Sequence, residues 1–158
     1  MDSVRPVPVR RSAKYVALWV ALNFALHLAW ESAHVRLYTI WDSADRAGIA
    51  WAVFHCTMGD VLIASVAFGI AALLLRNAGW PLCRPFRGTV AVVAFTTAYT
   101  VWSEWHNVYA IGSWAYGPSM LTIAGIGLTP ILQWIAVPPL AVLAFRALCG
   151  RSHLGDTT

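Results

Sequence analysis

Residues 48–75 read GIAWAVFHCTMGDVLIASVAFGIAALLL, a long apolar run interrupted by one acid, Asp60. A helix needs about 20 such residues to cross a hydrocarbon core of about 30 Å. A helix of that length that is apolar all round is buried, in lipid or in a large protein. The stretch predicts a membrane span, and three more stretches qualify beside it: 14–35, 88–111 and 119–148. The breaks between them are well marked. Asp42, Ser43 and Asp45 punctuate the first, Asn77, Gly79, Pro81 and Pro85 the second, and Gly117-Pro118-Ser119 the third. The expectation is an all-α, polytopic membrane protein, a four-transmembrane-helix antiparallel bundle forming one integral membrane domain over residues 1–158.

Composition agrees. Apolar residues make up 59% of the 158 and charged residues 11%, against roughly 45–50% and about 25% in an ordinary globular chain. Those proportions exclude a soluble enzyme and a disordered segment. No basic stripe is present to follow a phosphate backbone, so nucleic acid is not an expected partner. The bilayer is.

Charge position predicts orientation. Arg5, Arg10, Arg11, Lys14, Arg76, Arg84, Arg87, Arg146 and Arg151 all fall on one side of a four-span chain, and only Arg36 and Arg46 on the other. By the positive-inside rule both termini are cytoplasmic (N-in/C-in), and the expected location is the bacterial inner (cytoplasmic) membrane. A basic start before an apolar run also describes a signal peptide, but here the run continues into His27 and Trp30 without a small-x-small site. Cys56, Cys83 and Cys149 are scattered and make no Cys-x-x-Cys pair, so no disulfide framework or thiol redox motif is expected.

The chemistry lies in the ionisable residues left inside the spans. An acid at the bilayer centre costs about 2.5–3.5 kcal/mol on insertion scales, yet Glu31, Asp60 and Glu104 stand at membrane depth without a Lys or Arg beside them. At about 1.5 Å of rise per residue, Glu31, His55 and Glu104 lie roughly 9, 12 and 10 Å below the outer ends of their spans, with His27 and Asp60 deeper. Three helices thus place a ligand-type side chain in one layer. Asn23, His27, Glu31 and His34 step by four, four and three, which makes one stripe. Thr96, Thr100, Ser103, Glu104 and Asn107 make another, and polar stripes in membrane helices face the bundle interior. His55 is about 140° round the helix from Asp60, which one ideal helix can scarcely reconcile with a shared site. Gln133 could complete the deep layer with Asn23 and Asp60, beside a stretch, Gly125 to Pro130, expected to loosen the fourth span.

These residues support more than one chemistry. His27, Glu31, His55 and Glu104 could take one divalent metal, since imidazole and carboxylate suit zinc or iron. Glu31-x-x-His34 has the spacing used by di-iron bundles, although only one copy is present. Haem b held by His27 and His55 is disfavoured by the acids around it. Without metal, Glu31, Glu104 and Asp60 are the candidate catalytic acids and bases, with histidine as partner. A midplane Asp60 among the neutral residues Asn23, Thr100 and Gln133 is expected to hold its proton. Asn23, Asn107, Gln133 and Trp134 are the neutral groups placed to meet a substrate. The aromatic residues Trp30, Trp41, Trp51, Trp105, Trp114, Tyr116 and Trp80 are read as interfacial anchors, and residues 113–118 as a belt that could instead fold over the polar layer as a lid.

His27-x-x-x-Glu31 in a four-span chain resembles the catalytic-span pattern of the sterol isomerase and sigma-2 receptor superfamily, over the first span alone. The resemblance implies a lipophilic small molecule entering from the bilayer, with Glu31 as acid and His27 tuning it. Two other classes stay open: a structural subunit of a membrane complex, and proton or metal-ion conduction by a homo-oligomer, since four spans without an inverted repeat make a poor alternating-access transporter.

Overall fold

The structure, a computed structural model, describes residues 9–152, with side chains described from Ala13 to Cys149. Arg5 lies outside the described residues, as do the side chains of Arg10, Arg11 and Arg151. The described residues form α1 (Val9–His34), which ends in a 3-10 turn over Val35–Leu37, then α2 (Ile40–Ser43), α3 (Arg46–Leu74), α4 (Trp80–Cys83) and α5 (Pro85–Trp105). A π-helical turn, His106–Ala110, continues α5; a small hairpin of β1 (Thr122–Ile123) and β2 (Ile126–Gly127) follows, and then α6 (Leu128–Ser152).

Local chemistry sets these ends. Asp45 caps α3 by accepting from the Gly48 amide at 2.8 Å. At its other end Arg76 takes a left-handed φ of 50°, while its amide bonds Leu73 O and the Asn77 amide bonds Ala72 O. That is a Schellman closure with arginine where glycine is usual. Pro85 opens α5 and Pro130 sits in the first turn of α6, positions where no helical amide bond is lost.

α1 packs against α3 and α6, and α5 against the same two, so the four long helices close a ring in which α1 and α5 are diagonal. Neighbours run antiparallel: Trp19 meets Ala64 and His27 meets Asp60 along α1 and α3, while Tyr15 meets Phe145 and His27 meets Gln133 along α1 and α6. The start of α1 and the end of α6 therefore share one end of the bundle, here the terminal end.

Three of the long helices are apolar enough to cross a membrane, over Ala13–Leu37, Arg46–Leu74 and Leu128–Cys149. α5 has the length, 21 residues, but Thr96, Thr97, Thr100, Ser103 and Glu104 lower its hydropathy below theirs. The start of the fourth expected span is corrected. Residues 119–127 are not helical, because Ala124 and Gly125, with φ of 50° and 83°, turn the chain back as a tight hairpin. Gly125 to Gly127 thus precede α6 and Leu128 to Pro130 form its first turn, so the stretch does not loosen the helix, whereas Pro138 and Pro139 lie further inside it.

The interior has two zones. At the terminal end Trp19, Phe68, Trp80, Val92, Val142 and Phe145 form an apolar plug. Trp80 is fully buried, with ring centroids 5.6 Å from Trp19 and 5.5 Å from Phe68, and its indole N–H reaches Phe68 O at 3.3 Å. It is a core residue and not an interfacial anchor. Gly88 makes room for it: a Cβ there would run into the six-membered part of the indole. Beyond the plug the interior becomes polar, with Asn23, His27, Glu31, Thr57, Thr96, Thr100, Glu104 and Gln133 all buried. Leu62, Leu73, Leu143 and Phe86 meanwhile stand exposed on the outside.

Candidate functional site

Gln133 of α6 lies at the centre of the polar interior, 2% exposed. Its amide nitrogen is 2.8 Å from His27 Nδ1, 2.8 Å from Asp60 Oδ2 and 3.1 Å from Glu31 Oε1. His27 Nδ1 is itself 3.3 Å from Asp60 Oδ2, and the Trp134 ring lies against His27 with centroids 4.7 Å apart. Three helices meet here: His27 and Glu31 share the inward face of α1, one turn apart, Asp60 comes from α3 and Gln133 from α6.

A primary amide has two N–H bonds, so Gln133 can serve only two of its three neighbours at once. With one acid proton shared between Asp60 and His27, two arrangements satisfy the group, and they differ by the place of that proton. In the first, Asp60 is the neutral acid and His27 is a neutral imidazole, accepting from Gln133 at Nδ1 and carrying its proton on Nε2. In the second that acid proton has crossed to Nδ1, which donates to Asp60, and Gln133 serves the two carboxylates. Nε2 carries a proton in both; where Asp60 is ionised beside a neutral His27, the ring proton lies on Nδ1, donated to Asp60, and Nε2 is an acceptor.

The outer side of Glu31 is fixed by a second histidine. The Trp30 indole donates to His34 Nδ1 at 3.0 Å, and an indole nitrogen can only donate, so Nδ1 of His34 must accept. In the neutral ring the proton then lies on Nε2, 3.2 Å from Glu31 Oε2. Glu31 thus accepts from His34 through one oxygen and from Gln133 through the other.

Glu104 belongs to a neighbouring group. Tyr116 donates to Glu104 Oε2 at 2.6 Å and accepts from the Gly127 amide at 2.9 Å. The loop carrying Tyr116 is strapped to the α1–α2 connection: the Thr39 amide donates to Ala115 O at 3.0 Å and the Gly117 amide to Leu37 O at 2.7 Å. Tyr38 packs beside Tyr116 and His34, where the charges of both Glu104 and Glu31 reach it. Burial, reinforced by Glu104, pushes both phenols well above the ordinary tyrosine value. Both remain neutral donors at any physiological pH. The loop over residues 113–118 therefore covers this end of the polar interior.

His27, Glu31, Asp60 and Gln133 come together, with Trp134 against them and Asn23 one turn below. Glu104 faces the same interior through Tyr116 and Tyr38. Asn107 is turned to its own helix, donating to Ser103 O at 2.8 Å. His55 is the clear correction: it is exposed on the outside of α3 beside Trp51, with centroids 6.0 Å apart, because its helical phase carries it away from Asp60. The expected four-ligand metal set loses a member with it, and so does the bis-histidine haem pair. Among the described residues no group of three or more His, Cys, Asp or Glu side chains is disposed to hold a metal ion. Sequence reasoning passed over Tyr38, read Trp30 and Tyr116 as interfacial anchors with residues 113–118 as a possible lid, and placed His34 in the stripe without assigning it to the site. Only His34 carried a signal, its place three residues after Glu31 in the stripe.

No protein-family model, curated protein or solved structure matches this chain.

Proposed function

We propose that the chain is an integral membrane protein whose four long helices cross the bilayer with both termini cytoplasmic, and that its buried histidine–carboxylate network is an acid–base site acting on a lipophilic substrate. The carrying observation is the Gln133 amide nitrogen within hydrogen-bond distance of His27, Glu31 and Asp60, with His27 Nδ1 3.3 Å from Asp60 Oδ2. Asp60 is the proton donor of that pair and His27 the acceptor. Glu31, held from both sides, is the fixed countercharge, and Gln133 orients all three.

The inverted polarity of the bundle supports the membrane placement. Glu31, Glu104, His27, Thr57, Thr96 and Thr100 face inward while Leu62, Leu73, Leu143 and Phe86 face out, the pattern expected where the surroundings are lipid. The plug speaks against proton conduction along the bundle: a wire from the polar interior to the terminal end would have to cross Trp19, Phe68 and Trp80. A site reached from one side remains.

An assay that needs no known substrate tests this reading. Protein in mild detergent is incubated in D2O with a total lipid extract, and lipid species are followed by mass. The expected result is deuterium entering a lipid at carbon, slowed about 10²–10⁴-fold by Asp60→Asn or His27→Ala. Absence of protein-dependent exchange in every lipid, with both variants folded, would overturn the enzyme reading and leave a structural subunit.

A further inference from the structure

Two buried side-chain atoms of α1 have no hydrogen-bond partner, Asn23 Oδ1 and His27 Nε2. Asn23 is 1% exposed and His27 not exposed at all. Buried polar atoms are almost always paired, so two orphans on one inward face mark a place where a polar group belongs. Their chemistry is complementary. The Asn23 amide donates to Trp19 O at 2.9 Å, which leaves its oxygen as a free acceptor. His27 Nε2 is a donor when an acid proton is shared between Asp60 and Nδ1, and that is the state the site requires. Residues one helical turn apart have Cβ atoms about 5–6 Å from each other, a gap that one oxygen atom can bridge with two hydrogen bonds.

Two buried hydroxyls of the polar interior are already committed. Thr57 donates to Val53 O at 2.7 Å and Thr96 to Val92 O at 2.8 Å, each within its own helix. The surroundings are otherwise aromatic, with Trp134 against His27 and Trp19 one turn below Asn23.

We propose that Asn23 and His27 form a two-point site for a hydroxyl oxygen, which accepts from His27 Nε2–H and donates to Asn23 Oδ1. The hydroxyl belongs to water or to a lipophilic alcohol. A carbonyl or an ether lacks the proton for Asn23, and a carboxylate would set charge against its oxygen, so the site selects alcohols over those groups. The proposal rests on the acid–base reading and names the substrate class for it: the Nδ1 edge of His27 handles the proton while the Nε2 edge holds the hydroxyl.

The test uses the full-length protein in mild detergent with 15N-labelled histidine, the His27 signals being assigned by their loss in His27→Gln. Dodecan-1-ol should move the His27 Nε2–H signal saturably, and dodecyl methyl ether should not. Asn23→Leu should raise the half-saturating alcohol concentration about tenfold, the equivalent of one hydrogen bond. If the alcohol has no effect but Nε2–H exchanges magnetisation with a bound water, the site stands and water is its occupant. Neither contact, or equal response to alcohol and ether, overturns the site, and these wild-type arms need no variant to fold. Failure of the acid–base reading shows elsewhere in the same spectra, as an Nδ1 signal fixed across pH while the Nε2 contact persists.

Discussion

Tyr38 and Tyr116 are the residues at which pH acts on the covered end of the bundle. Burial is the main cause of their raised values, and for Tyr116 the hydrogen bond to Glu104 adds to it. A phenol whose folded value is raised contributes stability that is complete below the ordinary value, about 10, and is lost as pH climbs through the folded value. In an alkaline titration followed by tyrosinate absorbance, Tyr38→Phe and Tyr116→Phe should leave the signal gained by about pH 11 unchanged in folded protein. A smaller signal in either variant would show that the phenol is wet and that the loop does not cover the site. Much of the site was legible at this scale. The stripe Asn23, His27, Glu31, His34 follows from helical spacing alone, and Gln133 was placed in the layer of Asp60. His55 misled, since depth put it in the right layer while phase pointed it outward. Tyr116 was illegible because its contact with Glu104 depends on the path of a loop, which no period encodes.

Single elements explain where the sequence reading of the fold succeeded and failed. The run over residues 48–75 matches α3 almost end to end because Asp45 caps one end and the Arg76 turn closes the other. The fourth run was read too long, since apolar residues between Met120 and Leu128 look alike in a hairpin and in a helix. α4 is four residues long, yet it carries Trp80 into the plug beneath Gly88. Composition suggested only an interfacial tryptophan there. Gly88→Ala should displace that indole and destabilise the protein by about 1–3 kcal/mol, as overpacking does. Thermal unfolding in detergent measures it, and wild-type stability would mean that Trp80 does not pack on α5 in this way.

At the scale of the whole molecule the bundle is divided across its length, an apolar plug toward the termini and a polar interior toward the hairpin. Composition pointed toward a membrane class, but not to this division, which depends on which helices are diagonal. The central claim is that α1, α3 and α6 bring His27, Asp60 and Gln133 into one hydrogen-bonded unit. A double-mutant cycle between Asp60→Leu and Gln133→Leu, read as unfolding free energy in detergent, tests it most directly. Residues in one such network couple by about 0.5–3 kcal/mol, whereas distant independent sites add to within about 0.3–0.5 kcal/mol. The account predicts coupling of at least about 1 kcal/mol between the two substitutions; effects that simply add would contradict it.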